Sequence, residues 1–316
     1  MILGKCWLVG AGPMAIAHAA VQQGLGVDFE VIGRSKASAR AFTDKTGLPV
    51  RDGGLERALA SGELPEFAVV AIGVEGLAEM TVDLLKAGVK NVLVEKPAGM
   101  STAEVEGIAS LARERSARVV VGYNRRHFAS VTLARKLIAQ DGGLQSMTFD
   151  FTEMADRVGR QDRHAGVKAR WLLANSTHVL DLAFHLAGQP VDWSAYRQGG
   201  LDWHPSGSIF SGAGTTDRGV AFSYNANWEG PGRWGLDLVT AKRRFVLRPM
   251  EVLQSTAAAL VAAEPVSCDD HLDQKYKAGL FAQAKAFFTK DDTNLCLIDE
   301  HARRMPVYER IGGYSK

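Results

Sequence analysis

The 316-residue sequence has few cysteines, no long apolar run and little net charge. Its three cysteines, Cys6, Cys268 and Cys296, are widely separated and odd in number, which argues against a disulfide framework and against a structural zinc site. Because no run of about 18 or more apolar residues occurs, we expect no membrane-spanning helix and no membrane partner. A net charge of +2 provides no general attraction to nucleic acid.

The composition is that of a globular protein, with 46% hydrophobic and 23% charged residues. The length exceeds what a single core usually supports, so we expect two domains. At the N-terminus Lys5 is the only charged residue before the apolar run Cys6–Val9, which leads into a glycine turn with no signal-peptide cleavage pattern. We therefore expect Cys6–Val9 to be the first strand of a cytoplasmic protein.

Up to about Gly122, short β-rich runs alternate with helical stretches, as in βαβ units around a parallel sheet. The predicted strands are Cys6–Val9, Asp28–Ile32, Phe67–Ile72, Asn91–Val94 and Arg118–Gly122. After Gly122, alternating apolar residues and glycine-rich turns indicate an open, mostly antiparallel sheet. The sequence thus predicts an α/β fold, with a doubly wound Rossmann domain over residues 1–122 and an α+β domain over residues 123–316.

The segment from Gly10 to Ala15 matches the G-x-G-x-x-A dinucleotide fingerprint, at the point where the first strand should turn into a helix. Gly10 permits the tight turn, Gly12 lets the backbone approach a pyrophosphate, and Ala15 allows close packing of the helix. Pro13 and Met14 complete the turn at the helix N-terminus, where phosphates bind readily. We therefore expect these five residues to bind a dinucleotide.

The second predicted strand is followed by Arg34 and Ser35, where an NAD-binding chain usually has an acidic residue. An arginine and a hydroxyl suit the 2′-phosphate of NADP, so we favour NADP over NAD. If the strand is shifted in register, Asp28 or Glu30 remains an alternative ligand for the ribose of NAD. Two further residues expected at the cofactor, at the end of another predicted strand, are Ile72 and Gly73.

The tripeptide Glu95-Lys96-Pro97 directly follows the strand predicted at Asn91–Val94. This position is the carboxyl edge of the sheet, where open α/β sheets bind their ligands. A lysine beside a nicotinamide ring can donate a hydrogen bond or a proton to a carbonyl oxygen as hydride arrives, and Glu95 can orient it. We therefore assign Lys96 to catalysis and place both Glu95 and Lys96 at the cofactor.

In these motifs the chain resembles the Gfo/Idh/MocA oxidoreductases, which include glucose-fructose oxidoreductase and inositol dehydrogenase. The resemblance extends to the segment Gly122–Arg126 at the domain junction and to a later helix that bears His178 and Asp181. It implies that Lys96 lies at the active centre and that His178 transfers a proton. It also implies that the second domain binds substrate and pairs subunits through its sheet, as a homodimer or a homotetramer.

The sequence departs from that family at Ala174, four residues before His178, where dehydrogenase members often carry an aspartate. Asn175 can share a helix face with His178 and contact substrate, whereas Asp181 can set the tautomer of His178. His185, on the same face, is a weaker choice for a catalytic histidine. This departure places the polyol-dehydrogenase form of the mechanism in doubt.

Further substrate-binding candidates lie around the predicted domain junction and before the His178 helix. They are Asn124, Arg126 and, as a platform for stacking a sugar, Trp171. One of the adjacent residues Arg125 and Arg126 is expected to form a structural ion pair instead. The basic stretch Asp156–Arg170 either clamps an anionic group, such as a phosphate, or is simply a solvated surface.

The function that combines these features is hydride transfer between NADP(H) and a carbonyl or alcohol carbon of a sugar or sugar derivative, including phosphorylated and nucleotide-linked sugars. Reduction is the expected direction, because cells keep the NADP pool reduced. Three alternatives stay open: a glycosidase or lyase that uses a tightly bound nicotinamide, an imine reductase, and a non-catalytic NADP-binding protein. No metal is expected in any of them.

Overall fold

The structure is a computed structural model that describes residues 4–314, and it divides into two compact units. The first unit runs to Asn124 and takes in Leu272–Arg303, and the second comprises Arg125–His271 and continues from Arg304. Leu272–Arg303 therefore packs with the N-terminal unit although it lies late in the chain.

The first unit is built on a parallel sheet with the strand order β3-β2-β1-β4-β5-β6. The strands are β1 (Cys6–Val9), β2 (Phe29–Ile32), β3 (Val50–Arg51), β4 (Phe67–Val70), β5 (Asn91–Glu95) and β6 (Arg118–Gly122). Val9 is in register with Ile32 of β2 and with Val70 of β4. This order is that of the doubly wound Rossmann fold, in which the strand order reverses beside β1 and a ligand site opens there.

The helices between these strands begin and end where local chemistry requires. They are α1 (Pro13–Leu25), α2 (Lys36–Thr46), α3 (Gly54–Leu59), α4 (Leu77–Ala87) and α5 (Thr102–Glu114). Pro13 occupies the first turn of α1, and the left-handed Gly26 ends it. Ser101 caps α5, since its side chain accepts a 3.2 Å hydrogen bond from the Glu104 amide.

Most helices of the second unit precede most strands of its sheet in the sequence. They are α6 (Ala129–Gln140), α7 (Ala155–Gly159), α8 (Ala165–Ala169) and α9 (Thr177–Ala187), and the five residues Leu172–Ser176 before α9 form a π-helical turn. Helix α9 packs on strands β7 (Ser146–Asp150) and β11 (Gly235–Val239). The helix that bears His178 therefore changes from π-helical to α-helical geometry at Thr177.

The eight-stranded sheet of the second unit has the order β14-β13-β12-β11-β7-β10-β9-β8. Its remaining strands are β8 (Pro190–Gln198), β9 (Ile209–Thr216), β10 (Ala221–Asn227), β12 (Arg243–Leu247), β13 (Leu253–Ala257) and β14 (Glu264–Pro265). All neighbours pair antiparallel except β7 and β10, so the mostly antiparallel sheet predicted from the sequence is confirmed. Met147 and Phe149 are buried, whereas Thr148 between them is exposed.

The late segment of the first unit extends its core and its sheet. It contains most of α10 (His271–Lys275), all of α11 (Leu280–Thr289) and β15 (Cys296–Leu297), and the start of α12 (Ile298–Gly312). Strand β15 joins β6 antiparallel, and α11 packs on α1. Helices α10 and α11 are separate, because Gly279 between them adopts a left-handed conformation, φ 71°. No described helix is both long enough and apolar enough to cross a membrane.

Candidate functional site

The turn after β1 requires a glycine at position 10. Gly10 has φ +127°, and a Cβ placed there would lie 2.3 Å from the carbonyl oxygen of Ala71. Its amide donates a 2.9 Å hydrogen bond to the carbonyl of Ile32, which ties the turn to the end of β2. Both the left-handed backbone and the close approach exclude any larger residue, as the sequence predicts.

Gly12 leaves open space in front of helix α1. It is the residue immediately before the helix, and a Cβ placed on it would meet no atom within 4 Å. The thirteen residues of α1 direct amides and a partial positive charge toward that space, while Ala15 is buried beneath it. The turn therefore fits the pyrophosphate of a dinucleotide, and a side chain at position 12 would occupy the room that the phosphates need.

At the end of β2 the chain presents basic and hydroxyl groups. Arg34 is exposed, and Ser35 caps α2 by accepting a 3.2 Å hydrogen bond from the Ser38 amide. Glu30 lies inside β2, in register with Trp7 two residues before the strand ends. Its carboxylate pairs with Lys5 at 3.6 Å and with Arg51 at 3.7 Å. Asp28 precedes the strand, so neither acidic residue stands where a ribose ligand is expected.

The cofactor residues predicted from the sequence all lie at one edge of the first sheet. The turn from Gly10 follows β1, Arg34 follows β2, Ile72 and Gly73 follow β4, and Lys96 follows β5. Because these strands are parallel, their carboxyl ends meet at the same edge. The structure thus brings together, at the carboxyl edge of one sheet, segments that are up to about ninety residues apart in sequence.

Two histidines hold the Glu95-Lys96-Pro97 tripeptide in place. His18, on α1, lies with Nε2 2.9 Å from Oε1 of Glu95, and both side chains are buried. His301, on α12, lies with Nε2 2.8 Å from the carbonyl oxygen of Pro97. Lys96 is partly exposed between these buried neighbours. Sequence reasoning missed both histidines, although His18 lies at helical spacing from the buried residues Ala15 and Gln22.

In the second unit, His178 belongs to a cationic and aromatic group that we call the Trp234 cluster. His178 is 7% exposed, and its ring centroid lies 6.0 Å from that of Trp234. The guanidinium of Arg125 lies 4.8 Å from a Trp234 ring centroid, and that of Arg233 lies at 4.6 Å. These four residues form the cluster. Arginines that stack on an aromatic ring keep their hydrogen-bond donors directed outward, where they can bind an anionic or hydroxyl group.

The structure corrects the predicted roles of Arg126 and Asp181. Arg126 is 1% exposed and binds Asp181 through two hydrogen bonds of 2.7 and 2.6 Å. Arg304 adds a third at 2.9 Å. Burial alone would raise the pKa of Asp181, but the charges and hydrogen bonds of the two arginines outweigh it and lower the pKa to about 2. Asp181 therefore balances two buried arginines instead of setting the tautomer of His178, and Arg126 is the structural arginine of its pair.

Three other residues that the sequence suggested for catalysis or substrate binding lie in surroundings that do not suit those roles. Burial, together with the positive charge of Arg126, lowers the pKa of His185 to about 2, so this histidine stays neutral and does not relay protons near neutral pH. Trp171 is 7% exposed and packs edge-on against Trp203, which leaves little ring surface for a sugar to stack on. Asn124 donates a 2.8 Å hydrogen bond to the carbonyl of Ala278, a bond that fixes its buried amide.

Asn175 does not project freely beside His178. Its Nδ2 donates a 2.9 Å hydrogen bond to Oε1 of Glu153, and Ser176 donates a 2.7 Å hydrogen bond to the same oxygen. Sequence reasoning did not identify Glu153, which follows β7 and is 3% exposed. Among residues 4–314, no group of three or more His, Cys, Asp or Glu side chains is arranged to hold a metal ion.

Known proteins share this fold. The structure of UDP-N-acetylglucosamine 3-dehydrogenase GnnA from Acidithiobacillus ferrooxidans superposes with a TM-score of 0.78 at 16% identity, covering 98% of this chain and 97% of that one. Levoglucosan dehydrogenase in complex with NADH gives 0.79 at 16% identity, over 97% and 95% of the two chains. The WlbA dehydrogenase from Bordetella pertussis, in complex with NADH and UDP-GlcNAcA, gives 0.73 at 16% identity, over 97% and 94%.

Sequence comparison matches one part of the chain to a known family. No curated protein sequence matches the chain. Residues 5–123, however, match the profile of the Gfo/Idh/MocA family, described as an oxidoreductase family with an NAD-binding Rossmann fold. This range covers β1 to β6, including the phosphate turn and the Glu95-Lys96-Pro97 tripeptide. The N-terminal Rossmann domain of this chain is therefore similar to that of the Gfo/Idh/MocA family of nicotinamide-dependent oxidoreductases.

Proposed function

We propose that this protein is an NADP(H)-dependent oxidoreductase that transfers a hydride to or from a carbonyl or alcohol carbon of a sugar or sugar derivative. One observation carries the proposal: Lys96 follows β5 at the same edge of the sheet as the phosphate turn from Gly10 to Ala15. The choice of a sugar rests on the relatives of like fold, which include a UDP-N-acetylglucosamine dehydrogenase and levoglucosan dehydrogenase.

The proposed chemistry needs one cation at the reacting oxygen and one group that exchanges a proton. The turn from Gly10 to Ala15 and Arg34 would hold NADP(H), which would supply the hydride for reduction of a carbonyl carbon or accept it in oxidation. Lys96 donates a hydrogen bond to the substrate oxygen and stabilises the negative charge that develops on it. His178 delivers the proton that completes the hydroxyl, or removes it during oxidation. The contact between His18 and Glu95 keeps the turn that carries Lys96 in one conformation.

The residues of the Trp234 cluster are proposed to bind the remainder of the substrate. Arg125 is partly exposed and Arg233 is exposed, so both guanidiniums can reach a ligand, unlike that of Arg126. Asn175 is held by Glu153, but its oxygen stays available as an acceptor for a substrate hydroxyl. Arg125 thereby replaces Arg126 as the proposed substrate-binding arginine of the pair.

We also propose that the protein forms a homodimer or a homotetramer through the open face of the second sheet. That face carries partly or fully exposed side chains on several neighbouring strands, among them Thr148, Ser223, Asp237 and Arg244. A broad sheet face of this kind offers a flat, self-complementary surface to a second copy related by a two-fold axis.

The cofactor preference is tested by replacing Arg34 with alanine. We expect NADPH to bind about 10- to 100-fold more weakly to Arg34→Ala, because a charge-assisted hydrogen bond contributes roughly 1.5–3 kcal/mol, while NADH binding stays unchanged. Fluorescence titration of the cofactor-free protein with each nucleotide measures both affinities. Arg40→Ala is the matched control, since it removes an exposed arginine from α2 that pairs with Asp44 at 4.0 Å. Equal NADH and NADPH affinities that Arg34→Ala does not change would refute the preference.

A further inference from the structure

Glu153 is a buried carboxylate with an unusual set of partners. Its Oε1 accepts hydrogen bonds from Asn175 and Ser176, at 2.9 and 2.7 Å. Burial raises the pKa of Glu153, while the two donors and the charge of Arg233 act in the opposite direction. Burying a carboxylate is costly unless specific partners compensate for its lost hydration. The partners of Glu153 all lie within or next to the segments that carry His178 and Trp234.

Both donors to Glu153 belong to the π-helical turn Leu172–Ser176. A π-helical turn is rare and occurs mostly as a single turn within an α-helix, frequently at functional sites. Here the Leu172 amide donates a 3.2 Å hydrogen bond to the hydroxyl of Tyr314, while Asn175 and Ser176 donate to Glu153. Side chains from outside the turn therefore bind both its first residue and its last two residues.

His178 lies two residues after the end of the π-helical turn. Ser176 is followed by Thr177, the first residue of α9, and then by His178. The rotation of the π-helical turn determines where on the helix surface each following residue projects. A change of the turn to regular α-helical geometry would rotate His178 relative to Trp234, whose ring lies 6.0 Å away.

We infer that Glu153 is a positioning residue for His178: its Oε1 holds the π-helical turn through Asn175 and Ser176, and the turn directs the imidazole toward the Trp234 cluster. Arg233 connects the two groups, since its charge acts on Glu153 and its guanidinium lies on the Trp234 ring. The carboxylate that supports the catalytic histidine thus comes from the segment after β7, whereas the helix position four residues before His178 holds Ala174. The catalytic consequence rests on the proposed role of His178 in proton transfer.

The test compares Glu153→Leu with Glu153→Gln in the full-length protein with NADPH. Leucine removes the acceptor, and we expect kcat to fall by about 10- to 100-fold while KM stays within about 3-fold, as expected when a catalytic group is displaced by up to ~1 Å. Glutamine keeps an acceptor oxygen, so it should restore most of the lost kcat. The NMR resonance of the His178 ring, assigned by its loss in His178→Asn, should move in Glu153→Leu and stay near the wild-type position in Glu153→Gln.

The matched control is Asp141→Asn, which changes another buried carboxylate of the same unit. Asp141 binds Arg243 and Thr240 and does not contact the π-helical turn. This variant should lose stability but keep the wild-type kcat and the His178 resonance. If Glu153→Leu does not fold, Ser176→Ala removes a single donor and should shift the resonance in the same direction by a smaller amount.

The outcomes separate the inference from the proposed function. A folded Glu153→Leu variant with wild-type kcat and an unmoved His178 resonance would overturn the positioning role, and so would an unmoved resonance in Ser176→Ala. If the wild-type protein turns over no sugar substrate but the resonance still moves in Glu153→Leu, the positioning role stands and the proposed activity fails. The NMR measurement does not depend on knowing the substrate.

Discussion

Replacing Lys96 with methionine should lower kcat for hydride transfer by about 100- to 10,000-fold, the range expected when a catalytic proton donor is removed. Methionine has a similar length but carries no charge and donates no hydrogen bond, so the negative charge that develops on the substrate oxygen is left without its cation. The affinity for NADPH should stay within about 3-fold of wild type, because in the proposed site the amides of α1 hold the phosphates and Lys96 acts on the substrate oxygen.

The control for this prediction is Lys86→Met, which removes an exposed lysine from the last turn of α4 in the same unit. It should leave both kcat and the NADPH affinity unchanged. Wild-type turnover in Lys96→Met with NADPH still bound would show that the lysine is not catalytic. Loss of NADPH binding in Lys96→Met would instead place Lys96 in cofactor binding alone.

Asp181→Asn should destabilise the second unit by about 3–5 kcal/mol in free energy of unfolding, the usual cost of removing one partner from a buried ion pair. The variant leaves the guanidiniums of Arg126 and Arg304 in the core without the carboxylate that balances them. Chemical denaturation at pH 7, followed by tryptophan fluorescence, measures the loss. The signal reports on the second unit, because all tryptophans except Trp7 lie in it.

The pH dependence of this stabilisation follows from the lowered pKa of Asp181. The pKa is about 2 in the folded protein, against ~3.9 for an unperturbed aspartate. Because the folded pKa is the lower one, the stabilisation is complete above the unfolded pKa and is lost as the pH falls through the folded pKa. The difference between wild type and Asp181→Asn should therefore be constant from neutral pH down to about 5 and shrink between ~pH 4 and ~pH 2.

A surface ion pair provides the comparison for Asp181. Asp237 pairs with Arg244 at 2.7 Å on the open face of the sheet, where the arginine side chain is 56% exposed. In the monomer, Asp237→Asn should change the free energy of unfolding by no more than about 1 kcal/mol, because exposed pairs are screened by solvent. Both variants are compared at protein concentrations at which the proposed oligomer is dissociated. If Asp181→Asn were as mild as Asp237→Asn, or if its deficit grew toward acid pH, the buried ion network would not have the role described.

Much of the first sheet is predictable from the sequence because its signals are local. Cys6–Val9 and Arg118–Gly122 are short apolar runs that end at glycine, and both are strands with the predicted bounds. The fingerprint from Gly10 to Ala15 carries its own steric requirement in the two glycines. By contrast, Val50–Arg51 is a strand of only two residues and is too short to show any periodicity.

The sequence predicts those site residues that directly follow a strand. Lys96 directly follows the buried strand β5, so its place at the carboxyl edge of the sheet could be predicted. Its supporting contacts could not be inferred, because they join residues far apart in the chain: His18 and Glu95 are 77 positions apart, and His301 and Pro97 are 204 apart. Such pairs depend on how helices pack, and a single sequence does not record this.

The choice between Arg125 and Arg126 shows a second limit. The two residues are adjacent, have the same chemistry and lie in one 3-10 helical turn, so only the direction of each side chain distinguishes them. Arg126 points to Asp181 and Arg125 to Trp234. Composition and spacing do not record that direction, so they could not show that Arg126, and not Arg125, forms the buried ion pair. The π-helical turn before His178 could not be predicted either, because its residues also suit an α-helix.

Hydride transfer itself is tested most directly with NADPH that carries deuterium at C4 of the nicotinamide ring. The protein is incubated with this cofactor and a panel of keto sugars and nucleotide-linked keto sugars, and the products are examined by mass spectrometry. We predict that one sugar gains a single deuterium at the carbon of its new alcohol, and that Lys96→Met slows this labelling by at least ~100-fold. Tight NADPH binding with no deuterium transferred to any member of the panel would contradict a sugar oxidoreductase and favour a non-catalytic NADP-binding protein.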